Sequence, residues 1–387
     1  MSAPNPADIP LSLYIHIPWC VRKCPYCDFN SHEGQVDEKA YVAALLADLD
    51  QDLALTGERP IHSIFFGGGT PSLFSPKAIG TILDGVQSRM PFEEDCEITL
   101  EANPGTVEQS RFEGYRAAGV NRLSIGIQSF NSAKLKSLGR IHNADEAVRA
   151  ADAARNAGFD NFNLDLMFAL PGQSEEEAIE DMEQAIALGP SHISHYHLTM
   201  EPNTVFAKYP PQNLPNEDDA WDMQDRCHNE LRSGGYENYE VSAWSQPGKA
   251  CRHNLNYWRF GDYLGIGAGA HGKLTQADGN ILRTAKKKAP THFMRDAGSA
   301  AVYASKEHIA DKDLLFEYML NRLRLASPFN ATEVTRYSGL DMTTLTEPLN
   351  AAADQCLLTQ QGNDWRRTEK GAIYLNELLE LFLNPTA

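Results

Sequence analysis

Three cysteines fall within eight residues: Cys20, Cys24 and Cys27, spaced C-x3-C-x2-C in the run CVRKCPYC. Soft thiolates gathered in one loop suit zinc or an iron–sulfur cluster. A structural zinc takes four protein ligands and would have to recruit His16 or His32 as the fourth. A four-iron cluster held by three cysteines instead leaves one iron with an open coordination position, which suits a cluster that binds a small molecule. The chain has seven cysteines, an odd number. A disulfide framework is therefore not expected. Cys96, Cys227 and Cys356 stand alone among apolar or mixed neighbours and read as inert.

The elements that must position this loop repeat along the first half. The sequence predicts strands at Leu11–Ile17, Ile61–Phe66, Glu97–Ala102, Arg122–Ile127, Asn161–Phe168 and His192–Leu198. Between them it predicts helices at Glu38–Leu55, Pro76–Met90, Glu108–Ala118, Ala144–Gly158 and Glu175–Leu188. Tyr41, Val42, Leu45, Leu46, Leu49 and Leu53 share one face of the first helix. Ser75 before Pro76, and Ser174 before three glutamates, are helix-start signals. Strands alternating with helices mean parallel βαβ units. Six units make either an open doubly wound sheet or an incomplete barrel. Unusual residues follow nearly every strand at its C-terminal end: the cysteines, then GGGTP, EANP, GIQSF, DLMFALPG and HLTMEP. A barrel spreads its chemistry over that whole face, whereas an open sheet concentrates it at one switch point. The expected fold is an α/β, incomplete (β/α)6 barrel.

After about residue 210 the pattern changes. Asn216–Gly234 reads as one helix, Tyr236–Gly272 is rich in aromatics and glycine, and Gly272–Ser305 is polar and loop-like. Lys286, Lys287 and Lys288 beside Arg283 read as a solvated loop, or as a contact for an anionic group. From Lys312 come short helices, a strand pair around Gly362-Asn363 and a last amphipathic helix over Glu369–Phe382, which together suggest a winged-helix-like unit. The expected division is a barrel over 1–210, a linker helix and aromatic stretch over 211–305, and a helix-rich domain over 306–387. Net charge is 34 − 52 = −18. So acidic a chain is a poor match for a phosphate backbone, and no nucleic-acid partner is expected. No apolar run reaches the roughly 18 residues of a membrane span. MSAPNPADIP has neither the basic region nor the apolar core of a signal peptide, so a cytoplasmic location is expected.

The run YIHIPWCVRKCPYCDF, residues 14–29, resembles the signature of radical S-adenosylmethionine (SAM) proteins. More narrowly, the chain is similar to the HemN/HemW family, which includes anaerobic coproporphyrinogen III oxidase. GGGTPS, LEANPG, GIQSF, LGR and DLMFALPGQ carry that similarity in order, and it spans essentially the whole chain. The resemblance implies a radical-SAM barrel with a [4Fe-4S] cluster on Cys20, Cys24 and Cys27. The fourth iron would take the amino and carboxylate groups of SAM. Gly68, Gly69 and Thr70 would bring backbone amides close to the ligand, since glycine lacks the Cβ that would intervene. Glu101 resembles the family's SAM-contacting acid. Tyr14, Tyr26, Gln128, Arg140 and Asp165 fall on family cofactor positions, some of which hold a second SAM in the oxidase. Arg140 and Asp165 could pair with a zwitterionic ligand or with each other. Read alone, GGG is also a tight turn, and a lone strand-end glutamate is a capping or solvated group.

Two departures separate the chain from the oxidase branch, which resembles C-x3-C-x2-C-x-C. Phe29 stands where that pattern has its last cysteine, and 19 residues precede Cys20. Both argue against oxidative decarboxylation of coproporphyrinogen. The segment RHNLNYW, residues 252–258, resembles the H-N-x-x-Y-W heme-binding motif of HemW-type heme chaperones. The resemblance implies His253 as an axial ligand, Tyr257 and Trp258 against the porphyrin face, and Asn254 orienting the histidine. Cys251 is a rival ligand. Read alone, one histidine beside two aromatics is ordinary packing. The motif is expected near the open strand-end face or on an exposed loop beside it, and His271, closing the run GIGAGAH, reads as structural. The expected function is a heme chaperone that holds the cluster and SAM and delivers heme to acceptors, respiratory proteins at the membrane among them. Peripheral membrane association and a homodimer belong to that expectation. The alternative is an active radical SAM enzyme, an oxidase or a HemN-like methylase. A zinc-stabilised interaction module explains the cysteines poorly and GGGTP not at all.

Overall fold

A computed structural model describes residues 4–106 and 109–383. Glu108, the expected start of the third helix, lies outside the described residues. Strands β1 (Leu11–Ile17), β2 (Ile61–Gly68), β3 (Phe92–Ala102), β4 (Arg122–Gln128), β5 (Phe162–Phe168) and β6 (His192–His197) run parallel, in that order. Helices α1 (Glu38–Thr56), α2 (Pro76–Gln87), α3 (Gln109–Ala117), α4 (Ala144–Asn156) and α5 (Glu175–Ala187) connect them, and α6 (Glu217–Ser233) follows β6. This is the expected (β/α)6 arrangement.

The strand alternation explains it. Leu11, Leu13, Ile15 and Ile17 of β1 are buried with Leu45 and Leu49 of α1 in the main core. Ser12, Tyr14 and His16 take the other face, toward the barrel lumen. Helix starts follow the local chemistry: Ser75 Oγ accepts from the Ala78 N–H, and Ser174 with Glu177 forms a capping box.

The stretch expected to be a polar loop, Gly272–Ser305, instead contributes strands and the helix Pro290–Asp296. Strands β7 (Glu237–Glu240) and β8 (Ala243–Ser245) extend the barrel beyond β6. On the other side, β9 (Asp262–Ile266) lies parallel to β1, and β10 (His271–Thr275), β11 (Ile281–Lys286) and β12 (Tyr303–His308) continue antiparallel. The full order is β12-β11-β10-β9-β1-β2-β3-β4-β5-β6-β8-β7. Buried charge hid these strands from the hydrophobic pattern. Lys286 Nζ lies 2.6 Å from Asp48 and 2.8 Å from Asp52 of α1, all three buried. Lys273 pairs with Asp262 at 3.0 Å. The lysine triplet is thus no solvated loop: Lys287 meets Asp296 at 2.6 Å, Arg283 meets Glu317 at 2.5 Å, and only Lys288 of the four is exposed and unpaired.

The short helix α7 (Arg252–Trp258) packs inside the sheet against β1, β2 and β9. Its Asn256 donates to Ser12 Oγ and to the Asp262 carbonyl, both at 2.8 Å. These partners stand at the beginnings of their strands, so α7 closes the lumen at the end opposite the cysteines.

Three helices, α8 (Asp311–Arg322), α9 (Ala331–Ser338) and α10 (Met342–Asp354), precede a hairpin of β13 (Leu358–Gln361) and β14 (Asp364–Arg367). Gly362 turns it with φ 62°. The expected final helix is two, Glu369–Ile373 and Leu375–Glu380, broken at Tyr374. A second core joins Tyr318, Val334, Leu345, Leu349 and Trp365 of this unit to Ile9, Phe260 and Ile281. No helix among the described residues is long and apolar enough to cross a membrane.

Candidate cofactor and ligand site

Cys20, Cys24 and Cys27 line one pocket of about 390 Å³ at the C-terminal ends of the strands. All three thiols are unpaired and half-buried. Thr70 Oγ1 donates to Cys20 Sγ at 3.5 Å, and Arg140 Nη1 to Cys24 Sγ at 3.7 Å. Ser31 Oγ lies 3.9 Å from Cys27 Sγ. Burial raises the Cys20 and Cys27 thiols, and these hydrogen bonds oppose it. Among the described residues no three His, Cys, Asp or Glu side chains converge as a single metal ion requires. A four-iron cluster makes a different demand, because each of its three thiolates faces a separate iron. The donor set fits that group.

GGGTP holds the cysteine loop by shape. A Cβ on Gly69 would meet the Trp19 carbonyl oxygen at 2.5 Å, and one on Gly68 would meet the His16 ring at 2.6 Å. The Gly69 and Thr70 amides donate to Ile17 and Trp19 carbonyls at 2.8 and 2.7 Å, and the Gly68 amide to Glu101 Oε2 at 3.1 Å. The amides expected to face a ligand therefore bind protein acceptors. The missing side chains bring the loop against the strand end.

Glu101, Gln128, Arg140, Asp165, Tyr26 and Tyr196 complete the wall. Burial, then repulsion from Asp165, lifts the Glu101 carboxyl to about 8, against a small opposing effect of the Gly68 N–H. Burial also raises Asp165, although Asn163 and Ser124 donate to it at 2.8 and 3.1 Å. Arg140 and Asp165 do not pair. Arg140 Nη2 donates to the Gly126 carbonyl at 2.6 Å, and its Nε is buried without a partner. Gln128 has φ 70°, beside a register irregularity in β4, and its Oε1 accepts from Tyr196 at 2.7 Å. A non-glycine residue in this region costs about 1–3 kcal/mol, and such strain gathers at ligand sites. Two buried carboxyl groups facing an arginine whose Nε has no partner fit a ligand with ammonium, sulfonium and carboxylate groups.

A second pocket, about 350 Å³, shares Phe29, Gly68 and Glu101 with the first. Tyr14, His16, Asp28, Asn30, Tyr257, Tyr263, Gly269, His271 and Lys288 complete its wall. Tyr14 OH lies 2.9 Å from His16 Nδ1, and His16 Nε2 2.8 Å from the Asn30 carbonyl.

The H-N-L-N-Y-W residues point three ways. His253 is 2% exposed inside the lumen, where Nδ1 meets Ser63 Oγ at 3.0 Å and the ring stacks on Phe65. Its Nε2 is buried without a hydrogen-bond partner, and burial pushes its pKa down to about 3. Tyr257 lines the second pocket. Trp258 lies under the Arg324 guanidinium, 4.3 Å away. Asn254 reaches Tyr239 OH at 3.5 Å, so Ser63 and Glu97, not Asn254, hold the histidine and its backbone. Cys251 is fully buried, donates to Glu97 Oε1 at 3.3 Å, and is pushed up to about 12 by burial. Asn256 and His253 anchor α7 in the lumen, so the motif lies on no exposed loop, and Tyr257 is its residue that lines the pocket at the open face.

The sequence motifs reached most of the first pocket. Ser124, Tyr196 and Asn30 were missed; only their positions at strand ends or beside the cysteines could have flagged them. His271, read as structural, stands on the second pocket's wall.

The Radical SAM superfamily profile matches residues 14–185, and that of the HemN C-terminal domain matches 309–374. The chain is 53% identical over 376 residues to "Heme chaperone HemW" of Escherichia coli K12, covering 97% of this chain and 98% of that one. It is 50% identical over 380 residues to "Heme chaperone HemW" of Haemophilus influenzae, covering 97% and 98%. Its fold is similar to the solved structure of coproporphyrinogen III oxidase (HemN) from Escherichia coli, with TM-score 0.82 and 22% identity, over 99% of this chain and 92% of that one.

Proposed function

The chain belongs to the radical SAM superfamily, in the heme chaperone HemW family, and from that premise we propose that it binds heme and hands it to acceptor proteins. Cys20, Cys24 and Cys27 hold a [4Fe-4S] cluster, and Tyr14, Tyr26, Gly68, Gly69, Thr70, Glu101, Gln128, Arg140 and Asp165 form the SAM site. One observation carries the cofactor reading: three free thiols and two buried carboxyl groups, Glu101 and Asp165, share one pocket. The cluster, when bound, supplies an iron with an open position for the amino and carboxylate groups of SAM. The chain's own residues orient that ligand: Glu101 and Asp165 face its cationic groups, and Arg140 its carboxylate.

His253, Tyr257 and Trp258 are the motif residues assigned to heme. Ligation by His253 requires α7 to leave the lumen, because its ring is enclosed by Phe65, Ser63 and Tyr257. Acceptors are proteins that take up heme, with respiratory proteins at the membrane as the proposed class.

Anaerobic reconstitution tests the reading, with iron and sulfide analysis, heme titration and assay for coproporphyrinogen conversion. Cys20→Ala, Cys24→Ala and Cys27→Ala are each expected to lose the cluster, and wild-type protein to bind heme without converting coproporphyrinogen III. A cysteine variant that keeps near-stoichiometric iron and sulfide sinks the cluster assignment. A second reading, an enzymatic cycle that cleaves SAM with an electron from an external reductant, is favoured by the buried carboxyl groups and arginine beside the thiols. Release of 5′-deoxyadenosine in the same assay distinguishes it.

A further inference from the structure

Heme carriage needs an iron ligand, an apolar face for the ring and a cation for the propionates. The second pocket brings all three together at the open end of the barrel. Of its two imidazoles, His16 spends both ring nitrogens on Tyr14 and Asn30. His271 begins β10, is exposed, and has no hydrogen-bond partner among the described residues. The part of its ring turned to the pocket is desolvated and lies near Lys288 and Arg283, which lowers its pKa and favours the neutral imidazole that binds iron. Lys288 is exposed, has no ion-pair partner among the described residues, and shares the wall with Asp28. Phe29, 61% exposed at the rim, and Tyr257 on the wall supply apolar faces. A pocket of about 350 Å³ encloses one edge of a macrocycle and leaves the rest in solvent, which suits cargo that must be released.

We propose that heme docks in this second pocket with His271 as its axial ligand and Lys288 against a propionate, Tyr257 being the H-N-L-N-Y-W residue that meets the ring. The proposal rests on the heme-carrier reading and adds a place and a ligand to it. His253 then acts as a positioning residue. Its contacts to Ser63, Phe65 and Glu97 hold α7 so that Tyr257 reaches the pocket wall.

The test titrates ferric heme into the full chain and follows affinity, Soret position and electron paramagnetic resonance of the iron. His271→Ala is expected to weaken binding by about tenfold or more, ~1.4 kcal/mol, and to change the ligand spectrum. In His271→Gly, added imidazole restores the wild-type spectrum, which a purely structural histidine would not allow. Lys288→Gln weakens heme by about two- to fivefold, as an exposed ion pair does, and leaves heme dimethyl ester unaffected. If wild-type protein binds no heme, the carrier reading and this site fall together. If wild-type protein binds heme and His271→Ala keeps its affinity and spectrum, the carrier reading stands and this site is overturned.

Discussion

Glu101 is the residue whose chemistry depends most on its setting. It ends the third barrel strand, touches the Gly68 amide, and is held neutral below about 8 by burial and by Asp165. A cationic ligand favours the carboxylate. SAM affinity is therefore expected to rise with pH up to about 8 and to level off above it, as calorimetric titration across that range will read. Glu101→Gln is expected to weaken SAM binding and flatten the profile; a flat profile in the wild-type protein refutes the assignment. Stability carries the opposite sign. A folded-state pKa above the unfolded one means that stability falls as pH rises from the unfolded value through about 8. Glu101→Gln should therefore raise the melting temperature of the ligand-free chain above neutral pH. Cys20, Cys24, Cys27 and the GGGTP glycines were legible from the sequence because their chemistry is local. Ser31, in the same loop as the cysteines, offers no signal of its own, and Ser124 and Tyr196, which bind Asp165 and Gln128, arrive from other strands.

Among the elements, α1 shows where pattern reading succeeds and stops. Its apolar face was legible from Tyr41, Val42, Leu45 and Leu49, all buried. Asp48 and Asp52, on the same helix, are buried against Lys286 of β11 and Tyr303 of β12. An ion pair across more than two hundred positions cannot be read from either segment alone. It also explains why β11 escaped notice, since its last residue is a buried lysine. Lys286→Met leaves two carboxylates without their cation and is expected to cost about 3–5 kcal/mol in denaturant unfolding. Replacing Asp48, Asp52 and Lys286 together with apolar residues should recover most of that loss. A single variant as stable as the wild type contradicts the role of the trio as the tie between α1 and the antiparallel extension.

At the scale of the molecule, the six βα units were legible because each repeats the same local alternation. The completion of the sheet was not, because β7 to β12 are short and charged and take their places through pairing with distant strands. The C-terminal helices and hairpin were likewise visible from local pattern. Their seat was not, since Ile9, Phe260 and Ile281 reach that core from three remote parts of the chain. The sheet ends on β12, where Lys306, Glu307 and His308 are exposed. A charged edge resists addition of another strand, so this edge gives the expected homodimer no seam.

The two pockets share Phe29, Gly68 and Glu101 as a party wall, so their tenants are neighbours. In the proposed arrangement heme rests against that shared wall and bars part of its neighbour's way out. Heme-loaded protein should then release labelled SAM more slowly than heme-free protein, while SAM-loaded protein takes up heme freely. Equal release rates in a stopped-flow exchange experiment would mean that the two ligands come and go independently.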